Sequence, residues 1–563
     1  MRSTKIVSVW RDVLNRESGV NVAAWYRSLL FLHSPFFWSI ATTGHREDAI
    51  PPGAHGHGFS ASAALLDDRH CAQRKNAWCS EALSAWLEVS HLWLDAPAAA
   101  TVHPPSCAAS PRAALAATPR GRHPNSHALL TCTMVPGCFQ KDVVFVRGAR
   151  TPFVTSGGEY SDYLAYDLQR EAIKGLLTKT GVQGSDIEYV SCGTVIQEVL
   201  TSNIAREASM AAGIPLSTPA HTVTLACISS NVAMATGVDK IKTGQVDTFL
   251  AGGVETMSDT PIRLSRPLRK RALGVAMFKK NLWSQLASLK PADIGVQVPS
   301  VSEFSTGEVM GHSADRLASA FGITRAAQDK FAQRSHTLAK KAQDEGLFDD
   351  EIIPIKTSGK DTWVTKDNGI RPSTDEQMAK LKPAFVKPHG TVTAANASFL
   401  TDGASAALMM SQEKCSAMGL KARSIMKDYT FVSCDPKEQL LLGPAFSIAK
   451  LLKKNNLRME DIGVWEFHEA FAGQVLSNLS ALDSQSWCEK WLGQDRVGEM
   501  PMELTNTRGG SLSVGHPFGA TGVRLATWGS DRLKAEDKEF AVLAACAAGG
   551  QGVAMLLERH PDW

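Results

Sequence analysis

Residues 221–231 read His-Thr-Val-Thr-Leu-Ala-Cys-Ile-Ser-Ser-Asn. An apolar, β-branched run ends in Cys227 and small residues follow it. The spacing predicts a strand that delivers a thiol to the start of a helix. Unpaired amides and the positive end of that helix favour thiolate, so the sulfur is expected to gain nucleophilicity. A buried, inert cysteine is the plainer reading of any single thiol. The rest of the chain has to decide between the two.

Outward from this segment the pattern is regular. Val143–Val146 reads as a strand and 162–178 as an amphipathic helix. Strand-like runs recur near 188–196, 221–226 and 247–251, with helical stretches between them. A similar order returns at 462–467, a helix at 469–479, a run at 511–514, a helix at 519–533, and a run at 539–545. In each half an apolar run ends at a reactive residue, Cys227 or His516, and a small-residue helix follows. A second apolar strand then ends in small residues, Ala251-Gly252-Gly253 or Ala544-Ala545-Cys546. Strands alternating with helices predict an α/β domain. Here two similar βαβ-type halves, 141–258 with 385–413 and 414–563, are expected to meet at one site. The region 259–384 is too long for a loop and is expected to be an inserted loop domain.

The chain has 563 residues, a formal net charge of +3 and 44% hydrophobic residues, so it is globular and composition does not call for nucleic acid. Eleven cysteines are too sparse for a disulfide scaffold, and no C-x-x-C pair or zinc-like spacing occurs. Free thiols in a reducing compartment fit best. Residues 22–41 hold Arg27, His33 and Pro35 and make a poor membrane span. Residues 1–140 differ from the rest. They contain Pro-Pro-Gly-Ala-His-Gly-His-Gly (51–58), and 96–140 hold several arginines with no acid after Asp95. This reads either as an organelle transit segment, though an unusually deep one, or as a disordered extension or misassigned start. His55 and His57 read as loop residues, not metal ligands.

Four pieces carry chemistry. They are Cys227; His468 in His-Glu-Ala-Phe (468–471); His516 in Gly-Gly-Ser-Leu-Ser-Val-Gly-His-Pro-Phe-Gly-Ala-Thr-Gly (509–522); and Cys546 in Ala-Ala-Cys-Ala-Ala-Gly-Gly-Gln-Gly (544–552). His468 alone is readable as a core histidine, Cys546 as a buried hydrophobe, and the glycines as turn residues. The glycine runs match neither a dinucleotide fingerprint nor a P-loop.

Together these four blocks resemble the thiolase family, over about residues 142–560. The wording of Gly193-Thr-Val-Ile-Gln-Glu-Val, Val301-Ser-Glu-Phe-Ser-Thr, Met310-Gly-His-Ser-Ala-Asp-Arg-Leu and Lys366-Asp-Asn-Gly-Ile-Arg-Pro-Ser is most similar to the branch of trifunctional-protein β subunits, as is His468 where most thiolases carry Asn. The resemblance implies a layered α/β/α/β/α sandwich and an acyltransferase that cleaves 3-ketoacyl-CoA in fatty-acid β-oxidation. It implies catalytic roles for Cys227, His468, His516 and Cys546: acyl carrier, water holder, base, and acid/base. It adds an oxyanion hole from the backbone N–H groups of Cys227 and Ala548, pantetheine contact at Ser398, and an acyl-pocket position for Met310. The usual glycine after that serine is Phe399 here, which puts the local geometry in question.

The resemblance further implies CoA as co-substrate with no bound cofactor or metal, a homodimer, an α subunit carrying hydratase and dehydrogenase activities, and a place on the matrix side of the mitochondrial inner membrane. Thr260–Ala292 has no acidic residue and eight basic ones, with Leu282, Leu286 and Leu289 at helical spacing beside Phe278 and Trp283. That segment reads as a basic amphipathic helix on an anionic membrane, as a solvated face, or as a site for CoA phosphates. Rival readings are an acetoacetyl-CoA-type biosynthetic thiolase, a decarboxylating ketoacyl synthase, against which Cys546 argues, and an inactive scaffold subunit, against which the intact four-residue set argues.

Overall fold

In the computed structural model, which describes residues 141–300, 302–357 and 361–563, ten segments pair into one mixed sheet. The expectations for residues 1–140 lie outside the described residues. The strands are β1 (Val143–Arg150), β2 (Val154–Thr155), β3 (Tyr189–Gly193), β4 (Ala220–Val223), β5 (Thr248–Glu255), β6 (Thr401–Ser411), β7 (Ser424–Ser433), β8 (Val464–Phe467), β9 (Phe540–Ala547) and β10 (Gln551–Arg559). The helices that build the layers and the insertion are α1 (Ala165–Thr180), α2 (Ser229–Lys242), α3 (Arg266–Ala276), α4 (Leu282–Ala287), α5 (Met310–Ala320), α6 (Arg325–Asp344), α7 (Gly443–Lys454), α8 (Ala472–Asp483) and α9 (Thr521–Ala535).

The strand order is β8-β9-β10-β7-β1-β6-β5-β3-β4, with β2 on β6. Read from each end toward the middle, the halves repeat. β3 runs parallel to β5 as β8 runs parallel to β9, and the inner pairs are antiparallel in both. The halves join where β1 and β7 pair, Val144 opposite Ile425. An isolated parallel bridge, Trp465 to Thr505, stands where the first half has β4.

Alternation along the strands sorts the core into layers. Val144, Val146, Leu250, Ala406 and Leu408 face α1, through Leu168, Ala172, Ile173 and Leu176. Their neighbours Val143, Phe145, Phe249, Ala251, Ala407 and Met409 face a central cluster with α2 and α9. In the second half Leu543, Ala545, Val553 and Met555 join that central cluster, while Val542, Ala544, Ala554 and Leu556 face α7 and α8. Both faces of each half-sheet are therefore buried, which is why the strands read as unbroken apolar runs. The two helices that follow Cys227 and His516, α2 and α9, pack on each other in the middle layer.

The chain between β5 and β6 carries α3 to α6 and two small hairpins, Arg263–Leu264 with Val296–Gln297 and Ile355–Lys356 with Trp363–Val364. It is tied down by charge. Arg150 on β1 is buried between Asp367 (2.7 and 2.9 Å) and Glu351 (2.6 Å), and Glu351 also accepts from Trp528 Nε1 on α9 at 2.8 Å.

Two sequence expectations are corrected. The run 511–514 is not a strand but one helical turn, Ser511–Val514. Ser513 Oγ accepts from Gly510 N (3.2 Å) and donates to Gly510 O (2.9 Å), and Leu512 N donates to buried Glu469 (3.2 Å). These local bonds take up the groups a strand would have paired. The basic segment is not one helix but two short ones, α3 and α4, because Lys279 adopts a left-handed φ of 50° and Lys280 N turns back to Gly274 O. Met277, Phe278, Leu282, Trp283 and Leu286 are exposed there. Among the described residues no helix is long and apolar enough to cross a membrane.

Candidate active site

Cys227 sits on a tight turn between β4 and α2. Ala226 before it has a left-handed φ of 45°, a strained value for a residue with a side chain. Ser229 Oγ holds the turn by accepting from Leu225 N (2.8 Å) and donating to Ala226 O (2.7 Å). The turn points Cys227 out of the sheet end while α2 begins two residues later.

His516 follows Gly515, whose φ of 100° few other residues adopt. Its backbone N–H donates to Thr401 Oγ1 at 3.0 Å, and its Nδ1 lies 2.7 Å from Thr521 Oγ1. His468 continues β8 by one residue, its N–H donating to Ala544 O at 2.8 Å. Asn506 clamps this strand end, receiving from Phe467 N and donating to Phe467 O and Glu469. Nδ1 of His468 is 2.9 Å from Ser511 Oγ. Cys546 lies on the neighbouring β9, paired with Gly552 of β10.

These elements bring one ligand atom each of Cys227, His468 and His516 within 4.8 Å of one another. The imidazole centroids are 4.1 Å apart. Both histidines and Cys546 are buried; Cys227 is half-buried. Nε2 of each histidine is buried and has no partner. Burial, helped by the charge of Arg524, pushes the His516 pKa down to about 3. Burial, His516 and Arg524 hold His468 well below its ordinary value. Both rings are therefore neutral at pH 7.

The thiols go the other way. Burial pushes Cys227 up to about 12; the backbone N–H groups of Ala548 and of Cys227 itself pull it down, and the carboxylates of Glu255 and Glu303 push it up. The amides favour the thiolate as expected, but desolvation outweighs them, so the resting residue is a thiol and needs a base to take its proton. Cys546 is raised well above its ordinary value by burial and by Cys227 beside it.

Ser398 lies alongside the His468 segment, its N–H donating to Ala470 O at 2.9 Å. Met310 opens α5 and packs, partly buried, against the cluster that contains Phe471, Leu512 and Cys546. Phe399 lines a mainly apolar cavity of about 290 Å³ with Met378, Leu381, Ala395 and Leu512.

The structure adds residues that motif reading passed over. Buried Glu255, at the end of β5, accepts from Val195 N, Ile196 N and Gly519 N, so it ties the first half to the loop of His516. Glu303 of the insertion accepts from Gly549 N at 2.7 Å, beside Ala548. Ser511, Thr521 and Arg524 surround the two rings. Arg524, a lone charge in an otherwise apolar stretch of α9, was the one visible signal among them.

Comparison with known proteins meets this geometry at the same segments. The family model "Thiolase, N-terminal domain" matches residues 143–413 and "Thiolase, C-terminal domain" matches 420–559. The chain belongs to the thiolase family. Among thiolases it is 56% identical over 424 residues to the mitochondrial trifunctional enzyme subunit beta of Homo sapiens, covering 75% of this chain and 89% of that one. It is 54% identical to a probable 3-ketoacyl-CoA thiolase of Caenorhabditis elegans, covering 74% and 94%. Human mitochondrial 3-ketoacyl-CoA thiolase in complex with CoA superposes with a TM-score of 0.64 at 30% identity, covering 75% of this chain and 98% of that one.

Proposed function

We propose that this thiolase is a mitochondrial 3-ketoacyl-CoA thiolase of fatty-acid β-oxidation. The observation that carries the reading is the convergence of Cys227, His468 and His516 within 4.8 Å, with Cys546 on the adjoining strand. Nε2 of neutral His516 takes the proton of Cys227, and the thiolate attacks the C3 ketone of a 3-ketoacyl-CoA. The oxyanion is stabilised by His516, now protonated, and by a water held by His468. Collapse breaks the C2–C3 bond, leaves the acyl group on Cys227 and expels the enolate of acetyl-CoA, which takes a proton from Cys546. The Cys546 thiolate then deprotonates an incoming CoA thiol. That thiol attacks the acyl-Cys227 thioester, whose oxyanion meets the N–H groups of Cys227 and Ala548. The shortened acyl-CoA leaves and Cys227 recovers its proton from His516. The two thiols and the His516 imidazole balance every proton and electron pair, so CoA is the only co-substrate the scheme calls for.

Cys546 beside Cys227 supports thiolysis over decarboxylating synthase chemistry, since the second thiol matches the thiol it must activate. Ser398 beside the His468 segment supports a pantetheine contact, and Met310 against the cluster holding Cys546 supports a place near the acyl chain. The reading extends to a homodimer, to an α-subunit partner by likeness to trifunctional enzyme subunits beta, to 259–384 as an inserted domain, and to 1–140 as a transit-like or disordered extension whose presence in the mature protein is read by mass spectrometry of its N-terminus. The exposed apolar residues of α3 and α4 among eight cations support docking on the matrix face of the inner membrane. Thiolysis assays with short and long 3-ketoacyl-CoA test the activity; full turnover by Cys227→Ala would contradict it. Arg/Lys-to-Glu replacement across 263–290 should abolish binding to cardiolipin vesicles, and equal binding would contradict docking.

A further inference from the structure

His468 and His516 face one another, each with Nδ1 held by a hydroxyl and Nε2 turned inward without a partner. The two hydroxyls are not equivalent. A serine or threonine hydroxyl has one hydrogen to give and two lone pairs. Thr521 has a second acceptor for its hydrogen, the Pro517 carbonyl at 3.1 Å, so it is free to accept from Nδ1–H of His516, the arrangement in which Nε2 keeps the lone pair a base needs. Ser511 Oγ instead receives from Arg524 Nη2 at 2.7 Å. Arginine has no acceptor and keeps its charge, so the direction of that bond is fixed. The hydrogen of Ser511 then has one acceptor among the described contacts, Nδ1 of His468. The reverse arrangement, with Nδ1–H donating, would leave a buried hydroxyl hydrogen unsatisfied at about 1–3 kcal/mol.

Arg524 itself points the same way. It is 1% exposed, and its Nε and Nη1 have no hydrogen-bond partner. Its nearest carboxylate oxygen in an ion pair, on Glu466, is 3.8 Å away. Among the described contacts, its one side-chain hydrogen bond is to Ser511, beside a stacking contact on the Trp528 ring 4.7 Å away. Burying a charge so thinly satisfied is expensive, and the bond it does make sets the direction of the next one.

We infer that Ser511 and Arg524 are positioning residues that hold His468 as the Nε2–H tautomer, opposite to His516. Two identical side chains thereby present a donor and a lone pair to one place. His468 offers its hydrogen to the oxyanion's water, and His516 offers its lone pair to the Cys227 thiol. The use of the donor rests on the thiolase reading; the tautomer does not.

The test uses the full chain. In ¹⁵N-histidine NMR of the unaltered protein, His468 should show protonated Nε2 and unprotonated Nδ1, and Ser511→Ala should convert it to a mixture. Nδ1-protonated His468 in the unaltered protein overturns the inference, whatever the enzyme's activity. In thiolysis, Ser511→Ala should lower kcat about 10- to 100-fold with little change in KM, and Ser511→Thr should restore most of it. In a His468→Asn background the same change should cost less than about threefold, because an amide has no tautomer to set. Equal losses in both backgrounds would mark Ser511 as merely structural and overturn the inference. An unaltered protein without thiolysis would instead sink the thiolase reading and leave the NMR result standing.

Discussion

The geometry of the site depends on a contact between the halves that tolerates no side chain. Cys227 is presented by the first half and His516 by the second. Gly253 on β5 and Gly519 in the His516 loop meet backbone to backbone. A Cβ added at Gly253 would lie 1.9 Å from the Gly519 carbonyl oxygen and 2.6 Å from its carbon. Neither atom can swing aside, since both are backbone. An ordinary contact begins near 3.4 Å, so Gly253→Ala must displace the loop by about 1.5 Å or strain the strand. His516 is three residues from Gly519 and shares that displacement. A misplacement of about 1 Å at a reacting group costs on the order of 100-fold in rate. Gly253→Ala should therefore lower kcat for 3-ketoacyl-CoA thiolysis about 100-fold, with a stability loss of about 1–3 kcal/mol from overpacking. The assay follows disappearance of the 3-ketoacyl-CoA absorbance, beside a thermal melt that checks folding. Gly295→Ala, where an added Cβ meets nothing within 4 Å, is the control and should leave kcat unchanged. A folded Gly253→Ala protein with more than about a third of the parent kcat would refute the reasoning.

Other perturbations probe the site and its frame. Cys546→Ala should lower kcat at least about 100-fold in steady-state thiolysis, because enolate protonation and CoA activation lose the same group; parental kcat would assign the acid elsewhere. His516 is held neutral down to about pH 3 while the unfolded residue protonates near 6.5. The unfolded state thus binds the extra proton first, and stability falls as pH drops below about 6.5, with His516 alone contributing about 1.4 kcal/mol per unit and His468 adding to the same slope. His516→Asn should reduce that slope by about 1.4 kcal/mol per unit between pH 6.5 and 4.5 in denaturant titrations, and an unchanged slope would contradict the assignment. Arg150→Met leaves buried Asp367 and Glu351 without their shared cation and should destabilise by about 3–5 kcal/mol, read from the denaturant midpoint; an unmoved midpoint would show that the cluster does not hold the insertion.

Much of this was legible in the sequence because burial on both faces turns strands into apolar runs, and because the reactive residues stand where those runs end. Cys227, His468 and Cys546 stand at or near such strand ends, His516 follows a run that proves to be a helical turn, and the structure brings the four together from four elements. What failed did so where local chemistry overrides pattern. The run 511–514 has the composition of a strand, yet Ser513 and Glu469 satisfy its backbone in a helical turn. The amides near Cys227 were readable as thiolate-stabilising, but the desolvation that outweighs them depends on walls supplied by distant segments. Glu255 lies in no quoted motif, and Glu303 and Ser511 lie in motif segments without a role readable there; each matters through a partner elsewhere in the chain, Gly519, Gly549 and His468 with Arg524.

The central claim is that Cys227 carries the acyl group. It is tested most directly by incubating the full-length protein with a long-chain 3-ketoacyl-CoA without free CoA, quenching in acid, and mapping peptides by mass spectrometry. The account predicts an acyl group two carbons shorter than the substrate chain, thioester-linked to Cys227 and discharged when CoA is added. An unmodified Cys227 in a protein that turns over substrate, or an acyl group that resides on another cysteine, would contradict it.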